Sequence, residues 1–433
     1  MSARRAYDVL VAGGGTAGLA AACAAADLGA RTLLVERGEV LGGNATLAWV
    51  HTICGLYLSA EAGDAVPVNP GFPLRLARAL RAAGGAGAPE RAGRVWVLPT
   101  FPPVLERVAA RACSARSNLD CWLGAKAVSA TLSREQYGPA RLEVAQGGTR
   151  SSVEARVIID TSGDAAVGAL AGASFDQAPE ELLQAPSFIF RVRGAPPEEL
   201  CGFGRVRWSV ALAEATRRGA LPPGCESVLV RPGQEAGEAY MTLNLPRLPG
   251  LPFDPLDQAC LDSLHAQARN WACAIVTFLR ETRPSFAQCA LEDFPRRVGV
   301  RETRRLRGCA VVERDDVLRG RRRDDEVALS SWPIELWHDH LRARFEYPEG
   351  PCGIPLGALV SVSHPQLGMA GRCLSASHEA LGALRVIGTA LATGEAIGVA
   401  AALAVDQGIA LPDVSPARVR SALEGLREKD APL

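Results

Sequence analysis

The chain has 433 residues, 48% hydrophobic and 22% charged, which excludes a disordered protein and exceeds what one simple core accommodates. Formal net charge is zero, so no global field draws the protein to nucleic acid or to an anionic membrane surface. Aromatic residues make up only 5%, with no basic stretch interleaved among them, which argues against a platform for stacking single strands.

Residues 7–12 (YDVLVA) form a short apolar run closed by glycines and predict a buried strand. Residues 16–28 are Ala-rich and predict a helix, and residues 31–36 (RTLLVE) predict a second strand. This strand–helix–strand unit takes up about thirty residues, as a right-handed parallel crossover requires. Arg4 and Arg5 precede it, but the glycines and Asp27 that interrupt the apolar run distinguish it from a signal peptide. Helical patterns follow at 74–83 and 103–115, then strand-like pieces at 121–123, 125–132, 140–145 and 153–159. The last of these enters Asp160-Thr161-Ser162-Gly163-Asp164 and another Ala-rich helix, which ends near Gly172.

The pattern changes between 173 and 296, where strands at 187–192 and 239–245 alternate with Pro/Gly-rich connections. Asp254 with Pro255 behind it reads as the N-cap and first turn of a long helix. Leu261, Leu264, Ala268, Trp271, Ile275 and Phe278 recur at helical spacing and predict a core stripe. Beyond 296 come an Arg-rich, strand-like segment, a self-compensating charge block at 319–326 and a Gly/Ala-rich stretch at 388–405. Glu395 inside that stretch fits a buried helix better than a membrane span.

Twelve cysteines are scattered without a CxxC pair, so neither a zinc site nor an iron–sulfur run is expected, and a reducing, cytoplasmic setting is the natural reading. His338, Asp339 and His340 lack a third ligand, and no metal is expected.

The chemistry begins at Gly13-x-Gly15-x-x-Gly18, between a predicted strand and a predicted helix. The first glycine permits the tight turn, the second lets a pyrophosphate approach the backbone, and the third lets helix pack on strand. Thr16 and Ala17 open a helix whose N-terminal N–H groups attract phosphate. Glu36 ends the next strand at the spacing at which an acid accepts ribose hydroxyls. The motif does not separate NAD from FAD. The following Arg37 and Leu41-Gly42-Gly43-Asn44-Ala45-Thr46 do, because a second glycine pair lets the chain fold back along an extended dinucleotide such as FAD.

Four segments, 8–46, 157–172, 300–317 and 368–404, together resemble the FAD-dependent oxidoreductases of glutathione-reductase-like fold. They look closest to the branch related to fumarate reductase and succinate dehydrogenase flavoproteins. The resemblance implies that Gly13, Gly15 and Gly18 line the pyrophosphate and that Glu36 meets the adenosine ribose. It implies that Gly42, Gly43 and Thr46 run beside the pyrophosphate and ribityl chain, and that Val128 brackets the adenine. Asp160, Gly163 and Asp164 correspond to a second cofactor segment, and Gly371 and Arg372 to a third. A final helix starting near Thr393-Gly394-Glu395 would direct its N-terminus at the flavin. No histidine stands at the position where this branch often links FAD covalently, so non-covalent FAD is expected.

Three residues are candidates for chemistry: His378, His51 and Arg301. His378 lies where the family's chain passes the isoalloxazine and can serve as general acid/base or as a hydrogen-bond donor, and Arg385 nearby can contact the cofactor. His51 belongs to a loop placed over the flavin, with Cys54 close by. The Arg-rich segment is expected to be a strand that alternates faces with period two, so that Arg301, Arg305 and Arg307 share one side. They bind a substrate carboxylate or form an ion-pair network with Glu302, Glu313 and Asp315, the network being the preferred reading.

The expected architecture is α/β: a Rossmann-like FAD-binding domain of glutathione-reductase type, from 1–172 and 297–433, with an inserted α+β substrate or cap domain at 173–296. The expected activity is hydride transfer between a small organic substrate and flavin N5, as dehydrogenase, oxidase or reductase. The alternatives are a flavin-dependent monooxygenase, a maturation flavoprotein acting on a protein partner and, third, a nicotinamide-only enzyme. A small-molecule substrate is the expected partner. The electron donor or acceptor and the oligomeric state have no signature in the sequence.

Overall fold

The opening apolar run lies in the middle of the principal sheet. Strand Arg5–Ala12 pairs in parallel with Thr32–Val35 on one side and with Thr149–Asp160 on the other. The computed structural model describes residues 5–59, 63–133, 139–247, 253–428 and 433. The sheet has seven strands; Leu119–Trp122 forms one edge, and the antiparallel pair Ala140–Gln146 and Ala125–Thr131 continues the other side. Strand Thr149–Asp160 has two further partners. Its first part pairs antiparallel with Ala140–Gln146, and its last residues, 158–160, pair in parallel with Leu367–Met369. A segment about two hundred residues further along is thereby brought beside Asp160.

Val9, Leu10 and Val11 are all fully buried, an unbroken run rather than an alternation, because both faces of this parallel sheet are covered. Successive side chains go to different cores: Val9 and Val11 join helix residues such as Leu19 and Ile397, whereas Leu10 joins Leu142 and Val153. Each such side chain contributes about 1.5–3 kcal/mol of transfer free energy.

Helix Thr16–Asp27 packs against helix Ile387–Gln407 through glycine. A Cβ on Gly394 would stand 2.1 Å from the Ala17 carbonyl oxygen, and one on Gly398 would stand 2.3 Å from that of Ala21. The two backbones therefore touch where any side chain would force them apart. By length and composition Ile387–Gln407 is apolar enough to cross a membrane, yet 94% of its most apolar window is buried inside the protein. This helix begins two turns before Thr393, a correction to the sequence-based start.

A second core extends from Phe188 to Val300, and so runs slightly past the expected boundary at 296. It is built on a four-stranded antiparallel sheet in the order Val228–Pro232, Ala239–Asn244, Ser187–Arg193, Ala290–Asp293. Helices Gly202–Arg217 and Gln258–Thr282 supply its other layer, with Trp208, Trp271 and Ile275 buried. The long helix is capped by Asp257, whose side chain accepts from Ala259 N–H at 3.0 Å. Asp254 instead accepts from Leu256 N–H at 2.8 Å and forms the turn before the helix. Ser187 and Gly299, where the chain enters and leaves this second core, exchange backbone hydrogen bonds of 2.9 and 2.7 Å.

The Arg-rich segment is a strand only over Arg304–Leu306, paired with Phe175–Gln177. The expected common face does not form, because the backbone is extended in register over too short a stretch.

Candidate functional site

The turn after strand Arg5–Ala12 forms one wall of a long cleft. Gly13 has φ +110°, a conformation that favours glycine, and a Cβ there would stand 2.5 Å from the Thr161 carbonyl oxygen. Gly15 is different. A Cβ on it would approach nothing closer than Gly43 Cα at 3.9 Å and would project into the cleft. The first turn of helix Thr16–Asp27 lines the same cleft and carries no side-chain cap, leaving its N–H groups free for an anion.

Of the residues expected to hold the cofactor, Gly13, Gly15, Thr16, Ala17, Glu36 and Arg37 line this cleft. So do Gly43, Asn44, Gly163, Asp164, Gly371, Arg372 and Arg385. Glu36 is buried and its carboxylate accepts from Gly14 N–H at 2.5 Å and Gly38 N–H at 2.7 Å, which fixes its oxygens at the cleft wall. Asp164 ties two arginines to the opposite wall, with Arg372 at 2.9 Å and Arg37 at 3.4 Å.

Six expected contacts lie elsewhere. Gly18 packs against Gly13, where a Cβ would stand 1.8 Å from the carbonyl oxygen, so its role is helix-on-strand packing. Gly42 donates its N–H to Gly14 O at 2.8 Å, and Thr46 donates its hydroxyl to Leu41 O at 2.7 Å; both shape the loop from behind. Val128 sits at a bulge between Ala127 and Ser129, which shifts the cleft-facing stretch to Ala125, Lys126 and Ala127. Asp160 is fully buried and accepts from Ser162 N–H, Ser162 Oγ and Gly168 N–H at 2.7–3.0 Å, organising the turn from within. Glu395 accepts from Phe72 N–H at 2.8 Å, on the side of its helix away from the cleft. The cleft end of that helix is Ile387 and Ala390 instead.

Arg297 was not anticipated. It lines the cleft with Arg37 and Arg372, and burial, then repulsion from those two, pushes its pKa down to about 10. Its Nε has no protein partner. Nothing in local spacing marks it, because its neighbours in the cleft come from distant segments. A groove floored by glycines, rimmed by cations and closed by a helix N-terminus fits a dinucleotide pyrophosphate.

A second cavity of about 800 Å³ adjoins the cleft, and Asn44, Arg372, Arg385 and Ile387 belong to both. It lies between the two cores, with His51, Trp332 and Trp337 on one side and Ile189, Thr242 and Asn244 on the other. His51 and Arg301 both line it. His51 is stacked on Tyr240 at 4.9 Å, with Nδ1 bonded to Trp49 O at 3.1 Å. Burial pushes the His51 pKa down to about 4, so the ring is neutral near pH 7 and, with Nδ1 donating, Nε2 is a free acceptor. Burial pushes the Cys54 thiol up to about 12, which leaves it a poor nucleophile.

His378 lines neither space. Its Nδ1 is 2.9 Å from Glu302, whose buried carboxylate also holds Arg305 at 2.5 Å. Helix His378–Leu384 turns this side chain toward the Glu302 cluster, away from the cleft and the cavity expected to hold cofactor and substrate. The ion-pair network preferred for the arginines is split. Arg305 pairs with Glu302 and Arg307 with Asp176 at 2.6 Å, while Arg301 has no carboxylate partner among the described residues. Among the described residues no group suited to a metal ion is found, and His340 pairs with Glu226 at 2.7 Å.

The family model described as FAD dependent oxidoreductase matches residues 8–423. No curated protein matches the sequence. Among solved structures the chain is similar to a geranylgeranyl bacteriochlorophyll reductase-like protein from Thermoplasma acidophilum, at 13% identity over 98% of this chain and 84% of that one, with a TM-score of 0.45. It is similar to p-nitrophenol 4-monooxygenase from Pseudomonas putida, at 13% identity, 98% and 88% coverage and a TM-score of 0.45. PqsL from Pseudomonas aeruginosa matches at 13% identity, 98% and 92% coverage and a TM-score of 0.43.

Proposed function

The chain belongs to the FAD-dependent oxidoreductase family, and on that premise we propose that it passes a hydride between a small organic substrate and flavin N5. One observation carries the reading: the glycine-floored cleft opens directly into the 800 Å³ cavity across Asn44, Arg372, Arg385 and Ile387. When bound, FAD supplies a two-electron acceptor or donor at N5.

The chain's own residues do the positioning. Gly15 and Gly43 leave room for a pyrophosphate, while Arg37, Arg297 and Arg372 surround it with positive charge. Glu36, immobilised by its two backbone N–H donors, offers its remaining lone pairs to ribose hydroxyls. The walls contributed by the second core enclose the substrate and limit water at the reacting atoms. His51 lines the cavity with a neutral ring.

The test is spectroscopic. Purified protein is expected to show flavin absorbance and to release FAD on denaturation, in keeping with non-covalent binding. Anaerobic addition of a substrate or of a chemical reductant followed by a substrate then reports two-electron exchange. Turnover that strictly requires oxygen and yields a hydroxylated product would replace hydride transfer with the monooxygenase reading. A preparation that binds no FAD even after reconstitution would overturn the proposal.

A further inference from the structure

We propose that the large cavity takes an organic molecule whose carboxylate is bound by Arg301 and Arg385 and whose apolar body rests against Trp332 and Trp337. This rests on the hydride-transfer reading above and names the substrate class of the same site.

The argument is one of unbalanced charge. Arg91 and Arg205, also in the cavity wall, are exposed to solvent, and the other two arginines there have acidic partners: Arg231 pairs with Glu90 at 3.2 Å and Arg372 with Asp164 at 2.9 Å. Arg301 and Arg385 have none within ion-pair distance among the described residues. Arg301 donates through Nη1 to Ala185 O and through Nη2 to Asn244 Oδ1 at 2.7 Å, both neutral acceptors. Arg385 donates through Nη2 to Gln184 Oε1 at 3.2 Å and to Glu335 O at 3.1 Å, again neutral. Its Nε is buried with no partner among the described residues.

Two carboxylates attract these arginines from further off, and both are already committed. Glu335 accepts the indole N–H groups of Trp337 at 2.6 Å and Trp332 at 3.0 Å. Glu302 is held by Arg305 and His378. The guanidinium groups also repel each other, and burial, followed by that repulsion, pushes Arg301 down to about 9. A buried cation without a counter-charge is costly, and an anion arriving between the two relieves that cost.

The geometry suits a planar anion. Arg301 lies over the Trp337 ring at 4.7 Å, which holds the guanidinium plane while Asn244 fixes its far edge. Nε and one N–H on each terminal nitrogen remain unspent, the fork that grips a carboxylate through two parallel bonds. The indoles that tie up Glu335 line the same cavity and add apolar surface beside this fork. The cation and the wall therefore select a carboxylate on an apolar stem rather than a small inorganic anion.

Calorimetric titration of the FAD-loaded protein with matched acids and amides tests this: benzoate against benzamide, phenylacetate against phenylacetamide, hexanoate against hexanamide. At least one acid is expected to bind about 10- to 100-fold more tightly than its amide. Arg301→Gln is expected to remove that preference while flavin absorbance is retained; Arg301→Lys, which keeps the charge without the fork, is expected to restore part of it. Acids that bind no better than their amides, or an Arg301→Gln protein that keeps the preference, would overturn the assignment. A carboxylate preference in a protein that exchanges no electrons with any substrate would instead strike the hydride-transfer reading alone.

Discussion

Gly43 stands against Gly15: a Cβ on Gly43 would lie 2.9 Å from the Gly15 Cα, and Gly43 itself has φ +58°. The two loops of the cleft therefore meet backbone to backbone, with Gly15 open on its other side. Gly43→Ala is expected to cost on the order of 1–3 kcal/mol from strain and displacement. Gly15→Val adds little strain but fills the cleft, so its expected signature is a folded protein with FAD content reduced at least severalfold. Circular dichroism with flavin absorbance separates the two outcomes; a Gly15→Val protein with full flavin content would contradict the site.

Glu395 predicts a pH dependence of stability. Burial lifts its carboxyl from 4.5 to about 7, against the opposing pull of Phe72 N–H and Arg75. The folded state thus prefers the protonated acid, so this stabilisation is full below about pH 4.5 and is lost as pH rises through about 7. Glu395→Gln keeps an acceptor for Phe72 without titrating. The unfolding free energy of the native protein relative to Glu395→Gln, from urea unfolding, is expected to fall between pH 5 and pH 8 by on the order of 2 kcal/mol. Parallel profiles for the two proteins would remove Glu395 as the cause.

The two aspartates before the long helix are distinguishable. Asp257→Ala removes the cap on Ala259 N–H and is expected to cost about 1 kcal/mol. Asp254→Ala loosens only the preceding turn and is expected to cost about half that or less. Urea unfolding of both variants measures the difference, and a larger loss for Asp254→Ala would reverse the assignment.

His51 and His378 are expected to separate function from stability. His51→Gln keeps FAD and slows turnover. Because the native ring stays neutral above its pKa of about 4, the kcat/KM profile between pH 6 and 8 is expected to keep its shape. His378→Ala leaves the flavin spectrum in place and lowers stability by about 1–3 kcal/mol, because Glu302 loses a buried partner. Loss of a titrating limb in His51→Gln, or unchanged stability in His378→Ala, would count against these roles.

Much of the cleft was legible before any coordinates, for a local reason. Gly13, Gly15, Glu36 and Gly43 are set by a tight turn and a strand end, features that depend on neighbours within a few residues. Positions that depend on register were misjudged: Val128 lost its place to Ala127 through one bulge, and the C-terminal helix began two turns early, exchanging Glu395 for Ile387. His378 read as catalytic because its segment passes the cofactor in relatives. Its side chain instead turns toward Glu302, a choice made by a carboxylate 76 residues away in sequence.

By itself the sequence determined the dinucleotide turn and the crossover around it, because glycine conformation and hydrophobic periodicity act over short distances, and the Gly42-Gly43 pair with the mid-chain and C-terminal segments pointed from there to FAD. Tertiary structure alone decided that Arg297 joins Arg37 and Arg372, and that Arg301 leaves its neighbouring arginines to stand beside Arg385 without a counter-ion among the described residues. Charge balance is summed over everything nearby in space. No spacing along the chain records which arginines the fold leaves unpaired.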